Sequence, residues 1–512
     1  MRQMELLKKS PTQRALLTLA WIGVIVTAAF LRFDDLAERP MHADEATGAR
    51  IMAKRMEEQG GEFNPKHYHG PLLADLTMPV CLVRGESTWV ELTKGSLRFV
   101  TAAAGLLLVL VPLLWRRRFG DVSALAAATL IATSPLLVYF SRMFIHESLL
   151  VLCGAVLLGL VLAFPRWGLP GLALGLMFAA KESFAISVLA WCAAIGLLLL
   201  QEFKSLSKEV IVDWLRKYGK GLIISAGVAA FTALICYTHG FTHLKGATDA
   251  VKTYFVYETV SGHDKPWSYY FKLLALPEKA AGVWWYGTPV LLLALYAYAM
   301  SWTSQVDRRQ RHWIHFLAYS VVFHLIIYSI FAYKTPWLAC FPWALTCWLA
   351  GLAFVNIGQR ARWVQAVLVL FLAATLWSQA KQTRHACDRL HSDARNPYAY
   401  VPSRSSLETM ETWLGKLRAM DGGDPLHSAA VVGQDYWPLP WYVRSFDQVG
   451  YWASAPEGLK RFPVVIVTFE QADAVEAQLK DTHAVFSYGL RDGVPIQMYL
   501  ANDVWNQWIR SP

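Results

Sequence analysis

The chain has 512 residues, of which 55% are hydrophobic and only 17% charged, with a formal net charge of +10 and a mean hydropathy of +0.31. A soluble domain carries about 25% charged residues, so these figures exclude an ordinary soluble enzyme and indicate an α-helical protein that crosses a membrane many times. The positive charge does not indicate nucleic acid as a partner, because the basic residues fall in short loops between apolar runs, where they set topology.

The first apolar run, residues 15–30, is followed by Leu31-Arg32-Phe33-Asp34-Asp35 rather than a small-residue cleavage site, and reads as a retained helix. Eleven spans are expected, at 13–33, 95–115, 121–140, 144–164, 168–180, 184–201, 220–238, 284–302, 314–333, 337–356 and 363–380. An amino terminus on the inside places Lys8, Lys9, Arg14 and Arg116-Arg117-Arg118 in the cytoplasm. Arg166, Lys204, Lys208, Arg216, Lys217, Lys220, Arg308, Arg309, Arg311, Arg360 and Arg362 join them. The expected location is therefore the cytoplasmic (inner) membrane of a cell.

The opposite face receives the first outer loop, 34–94, the turns at Ser141-Arg142, Lys181-Glu182 and Tyr333 to Trp337, the loop 239–283 and the tail. Within the first loop a helix is expected over 44–58. A second, over 71–83, is apolar but too short to span, so it reads as interfacial or re-entrant. The tail alternates helical stretches at 407–420 and 471–479 with strand-like runs at 429–432, 464–468 and 496–500. The expected organisation is a transmembrane domain over 1–380 and a soluble extracytoplasmic α/β domain over 381–512. Of seven cysteines, Cys81 and Cys387 lie outside the apolar spans; no CxxC pair and no Cys/His cluster of zinc spacing is present.

Nearly every polar residue of interest converges on the outer face. Asp44-Glu45, in the segment HADEA, could supply a general base and its partner. The competing reading is a helix cap, which local sequence alone favours; the neighbouring His42 and the convergence on one face reverse that weighting. His69, in Tyr68-His69-Gly70-Pro71, could hydrogen-bond a phosphate or a carboxylate, or be structural. Arg142 and His146 are four apart and are expected on one helical face, with Glu147 deeper and in need of a partner. Arg142 suits phosphate through its planar fork. Lys181-Glu182 places a cation on the outer face, so Lys181 is expected to have an anionic partner. Lys334, in Lys334-Thr335-Pro336-Trp337, repeats the situation, with a helix start in the aromatic belt as the alternative.

Cations beside carboxylates at a lipid boundary suit a lipid-linked phosphate. No GxxxxGK[ST] loop points to nucleotide hydrolysis, and no DxD pair marks the first loop. No metal ligand is assigned, and a divalent metal is left open as a cofactor.

Together, His42-Ala43-Asp44-Glu45-Ala46, Tyr68-His69-Gly70-Pro71-Leu72, Tyr139-Phe140-Ser141-Arg142, Lys181-Glu182 and Tyr333-Lys334-Thr335-Pro336-Trp337 resemble the GT-C superfamily of integral-membrane glycosyltransferases. Asn396-Pro397-Tyr398 and Trp437-Pro438-Leu439-Pro440-Trp441-Tyr442 extend the likeness into the tail. Within that superfamily the chain looks like the protein O-mannosyltransferase-like group, and it is similar to the set labelled flippase-activity-associated proteins. The resemblance implies inverting transfer of a sugar from a polyprenyl-phosphate donor to an extracytoplasmic glycan, lipid or protein acceptor. It places Asp44 as base, Arg142 and Lys181 at the donor phosphate and Glu147 at the acceptor or sugar. The set often carries Asn-Asp where this chain has His146-Glu147, which leaves the role of Glu147 open. Rival readings are a flippase component for lipid-linked saccharides and an envelope-assembly protein that recruits partners through its tail. The aromatic stretch 437–442 suits sugar stacking or, more simply, core packing.

Overall fold

A computed structural model describes residues 10–57, 63–163, 167–202, 208–256, 264–420 and 425–510. Lys8, Lys9, Glu58, Arg166 and Lys204 lie outside the described residues. The chain forms two compact units. The first comprises residues 1–35, 60–80 and 98–389; the second comprises 36–59, 81–97 and 390–512. The boundary expected at 380–381 falls inside the helix Arg362–Cys387, and two segments of the first outer loop belong with the tail.

The first unit is a bundle of apolar helices, and the protein is a multi-pass membrane protein. Among the described residues, seven helical runs are long and apolar enough to cross a bilayer: Pro11–Phe33, Lys94–Phe119, Phe184–Gln201, Lys208–Tyr237, Arg308–Ile330, Pro336–Gln359 and Arg362–Cys387. The pair Asp121–Thr133 and Pro135–Ser141 makes an eighth if counted as one span bent by 60°. The bend has a local cause. Pro135 cannot continue the preceding hydrogen-bond ladder, and Ser134 caps the new helix by accepting from the Leu137 N–H. Carbonyls released at the break, Ile131 and Ala132, each accept from the buried Arg32 guanidinium at 3.1 Å.

The expected spans at 144–164, 168–180 and 284–302 are helices Glu147–Ala163, Gly168–Ala180 and Thr288–Met300, of 17, 13 and 13 residues. All three are shorter than the roughly 20 residues that cross a hydrocarbon core unaided. Two further helices start earlier than hydropathy indicates. Lys208–Tyr237 includes the basic stretch before residue 220. Arg308–Ile330 opens on a capping box between Asp307 and Gln310, which places Arg308, Arg309 and Arg311 in its first turns rather than in a loop. A small hairpin, β1 (Glu278–Ala280) and β2 (Val283–Trp285), belongs to the same unit.

The second unit is an α/β layer. Strands β3 (Ser428–Val432), β4 (Gln448–Trp452), β5 (Val464–Thr468), β6 (His483–Arg491) and β7 (Val494–Ala501) form one sheet in the order β4-β3-β5-β7-β6. β4, β3 and β5 run parallel, and β7 is antiparallel to both β5 and β6. Every residue of β3 and β5 is buried, as expected for parallel strands covered on both faces. Ala430, Val432, Val465 and Val467 pack with Val475 and Leu479 of the helix Ala472–Leu479. Helices Ala43–Glu57 and Ser406–Arg418 belong to the same unit.

Candidate functional site

Asp44 lies in the first turn of the helix Ala43–Glu57, and the geometry there divides the capping work from the free carboxylate. The His42 carbonyl accepts the first helical hydrogen bond, from the Ala46 N–H, which makes His42 the cap. Its Nδ1 accepts from the Asp44 backbone N–H at 3.1 Å, and its Nε2 donates to the Tyr400 carbonyl at 3.0 Å. Those two contacts fix the imidazole tautomer and leave Nδ1 without a proton to offer the Asp44 carboxylate, 4.0 Å away. Glu45 reaches back to accept from the His42 backbone N–H at 3.1 Å and is fully buried beside Arg39. The Asp44 side chain, by contrast, is 54% exposed. Among the described residues it accepts no hydrogen bond. Its charge is nonetheless felt locally: burial, followed by the Asp44 carboxylate, pushes the Tyr400 phenol up to about 12. The helix cap is thus supplied by His42 and Glu45, and Asp44 has no capping role.

The turn before Asp44 is held from the tail. The Met41 N–H donates to Tyr442 Oη at 2.9 Å, and the Met41 carbonyl accepts from Ser403 Oγ at 2.7 Å. Tyr442 in turn donates to Glu408 Oε1 at 2.7 Å, while Lys94 Nζ holds the other Glu408 oxygen at 2.7 Å. Tyr400, Ser403, Glu408 and Tyr442 are supports of this turn that sequence reasoning missed. Only the aromatic stretch 437–442 hinted at one of them, and there core packing is what Trp441 and Tyr442 do, each 1% exposed. Asn396 closes the turn leading to these groups, accepting from the Tyr398 N–H and donating to the Leu390 carbonyl.

The other expected residues lie in the first unit. Lys181 ends the helix Gly168–Ala180 in extended conformation, and its ammonium meets Glu147 Oε1 at 2.5 Å with both side chains buried. This is the anionic partner expected for Lys181 and the cationic one expected for Glu147. Glu147 opens the helix Glu147–Ala163, where negative charge also suits the helix dipole. Glu182 accepts from His69 Nδ1 at 2.9 Å, and the His69 ring packs edge-on against His146 at 5.0 Å. Gly70 permits this approach, since a Cβ there would lie 2.1 Å from the Ala179 carbonyl oxygen. Burial opposes the charged form of Glu182, but the His69 imidazole and Lys181 outweigh it and hold the carboxyl at about 2. Burial, then His69 and Lys181, drive the His146 imidazole well below its ordinary value.

Arg142 and His146 do not share a helical face. The helix Pro135–Ser141 ends at Arg142, and residues 142–146 form an irregular turn before Glu147. The Arg142 guanidinium donates to the Leu31 and Asp35 carbonyls at 3.1 and 3.2 Å, closing the carboxyl end of the first span. Lys334, 1% exposed, donates to the Lys265 carbonyl at 3.0 Å and to the Phe331 carbonyl. Among the described residues, no group of three or more His, Cys, Asp or Glu is placed to hold a metal ion.

No family sequence model and no curated protein sequence matches the chain. Solved structures do share its fold. ArnT from Cupriavidus metallidurans in the apo state aligns with a TM-score of 0.63 at 14% identity, covering 94% of this chain and 98% of that one. The same protein bound to undecaprenyl phosphate gives 0.62, over 93% and 98%. This is the GT-C fold. The archaeal oligosaccharyltransferase AglB from Archaeoglobus fulgidus, in complex with an inhibitory peptide and a dolichol-phosphate, shares it with a TM-score of 0.53 at 14% identity, over 90% of this chain and 70% of AglB. The GT-C likeness thus runs through nearly the whole chain while four-fifths or more of the side chains differ.

Proposed function

We propose that this chain is a glycosyltransferase that moves a sugar from a polyprenyl-phosphate carrier to an acceptor on the outer side of the cytoplasmic membrane. Two proteins of the same fold hold such lipid phosphates in their solved structures, undecaprenyl phosphate in ArnT and dolichol-phosphate in AglB. The observation that carries the reading is Asp44, an exposed carboxylate at a helix start whose capping work is done by His42 and Glu45. Asp44 takes the proton of the acceptor hydroxyl as its oxygen attacks the anomeric carbon. The carbon–phosphate-oxygen bond breaks on the opposite face, so configuration inverts and the lipid phosphate leaves with the bond's electron pair.

Arg142 and Lys181, the cations expected at the donor phosphate, are both engaged within the bundle, Lys181 with Glu147 and Arg142 with the Leu31 and Asp35 carbonyls. His69 and Glu182 hold the turn beside Lys181, and Glu45 acts through the cap of the Asp44 helix rather than on substrate.

The test uses radiolabelled polyprenyl-phosphate sugars with purified wild-type and Asp44→Asn protein, and envelope extract as the acceptor source. Wild type is expected to release the lipid phosphate and label an acceptor, and the variant to do neither. Full transfer by a correctly folded Asp44→Asn protein overturns the reading.

A further inference from the structure

The chain leaves β3 toward β4 on one side of the sheet and leaves β5 toward β6 on the other. In open α/β sheets such a reversal opens a crevice beyond the carboxyl ends of the parallel strands, and ligands bind there. In this protein the crevice is furnished with side chains that neither the core nor the proposed chemistry uses. Gly433 follows β3 with φ 135°, and a Cβ on it would lie 1.8 Å from Thr468 Oγ1, so the two strand ends close up as only glycine allows. Thr468 donates to Glu470 Oε1 at 2.6 Å, and the Gln434 N–H reaches the same oxygen at 3.5 Å. That hydroxyl holds the Glu470 carboxyl below its ordinary value.

Along the same loop, Tyr436 lies 5.1 Å from Tyr451 of β4 and 6.4 Å from Trp437, with interplanar angles of 30° and 24°. The three rings form a stack rather than a buried cluster. Tyr451 is 40% exposed, whereas Trp441 and Tyr442, a few residues further on, are almost fully buried. Glu470 and Asp435 are acidic, and the nearby Arg491 is engaged by Asp435 at 2.5 Å.

We propose that the crevice beyond β3, β4 and β5 binds a neutral saccharide. The Tyr451–Tyr436–Trp437 stack meets the apolar C–H faces of the sugar rings, and Gln434, Asp435 and Glu470 take their hydroxyls. As a description of the acceptor this rests on the transferase reading. The helix that carries Asp44 also carries Arg50, about 9 Å further along its axis, within electrostatic reach of Tyr451.

The test is equilibrium dialysis of the full chain in lipid nanodiscs against labelled neutral hexasaccharides of glucose, galactose, mannose or N-acetylglucosamine, with no donor present. At least one class is expected to bind. Tyr451→Ala and, independently, Gln434→Ala should weaken it about tenfold without lowering the melting temperature. Absence of binding for every hexasaccharide overturns the inference whatever the transfer assay shows, and so does binding that both variants leave unchanged. Saccharide binding by a chain that never releases lipid phosphate would leave the crevice standing and sink the transferase reading instead.

Discussion

Asp44 and Lys181 carry the same signature in sequence, a charged residue just past an apolar run, yet their surroundings are opposite. Lys181 is buried and its charge is answered by Glu147 at 2.5 Å. Asp44 is half exposed, and its two neighbours do the structural work that an acidic residue at a helix start would ordinarily do. Arg142 and Lys334 side with Lys181, each donating to backbone carbonyls. The difference separates charge answered inside the bundle from charge that stands exposed, and it turns on neighbours rather than on position along the chain.

The largest effect that would break this comparison is on activity. Asp44→Asn is expected to lower donor-dependent transfer by about 10²–10⁴-fold with no change in melting temperature, as measured by lipid-phosphate release and thermal unfolding of the same preparation. Next in size is the buried pair. Glu147→Ala or Lys181→Met alone should cost roughly 3–5 kcal/mol of stability by stranding a buried charge, while the double variant Glu147→Leu with Lys181→Met should recover much of it. Equal losses in single and double variants would show that the pair is not coupled.

Tyr442→Phe strands the buried Met41 N–H, at about 1–3 kcal/mol, and loosens the turn that positions Asp44. Since Tyr442 acts through that turn, kcat should fall with the donor KM unchanged. The last effect is acid sensitivity, which appears only at low pH. Glu182 has its folded pKa lowered to about 2 from an ordinary value of 4.5, so its stabilisation is complete above pH 4.5 and is lost as pH falls toward 2, by at most about 1.4 kcal/mol per pH unit. His146 is also depressed, from 6.5. Below that pH the unfolded chain takes up a proton that the folded one refuses, so its contribution also declines as pH falls. His69→Gln should flatten the Glu182 phase in a pH series of thermal melts.

Much of the fold was legible because apolar runs report directly on burial in lipid or in a sheet interior. The strands read from sequence, β3, β5 and β7, are the three inner strands of the sheet. The missed ones, β4 and β6, are its edges, where burial alternates irregularly and the apolar signal thins. The turn 142–146 was misread as helix because periodicity cannot register a break between two apolar segments. The pairing of Lys181 was legible as a need, since an outward cation at a span's end calls for a counter-charge. The supports of Asp44 were not, because Met41 and Tyr442 are separated by 401 residues and no local pattern links them.

That separation has a consequence in time. The turn carrying Asp44 emerges early in synthesis, whereas Ser403, Glu408 and Tyr442 are among the last groups made. At 5–20 residues per second, the 401 residues between Met41 and Tyr442 impose a wait on the order of 20–80 s. Through that interval Asp44 stands on an unanchored turn, which is completed only when the final quarter of the chain has been translated and folded. A chain cut near residue 380 would stay in that state permanently, so activity lost with the tail is expected to report a lost anchor of the Asp44 turn rather than a lost docking module.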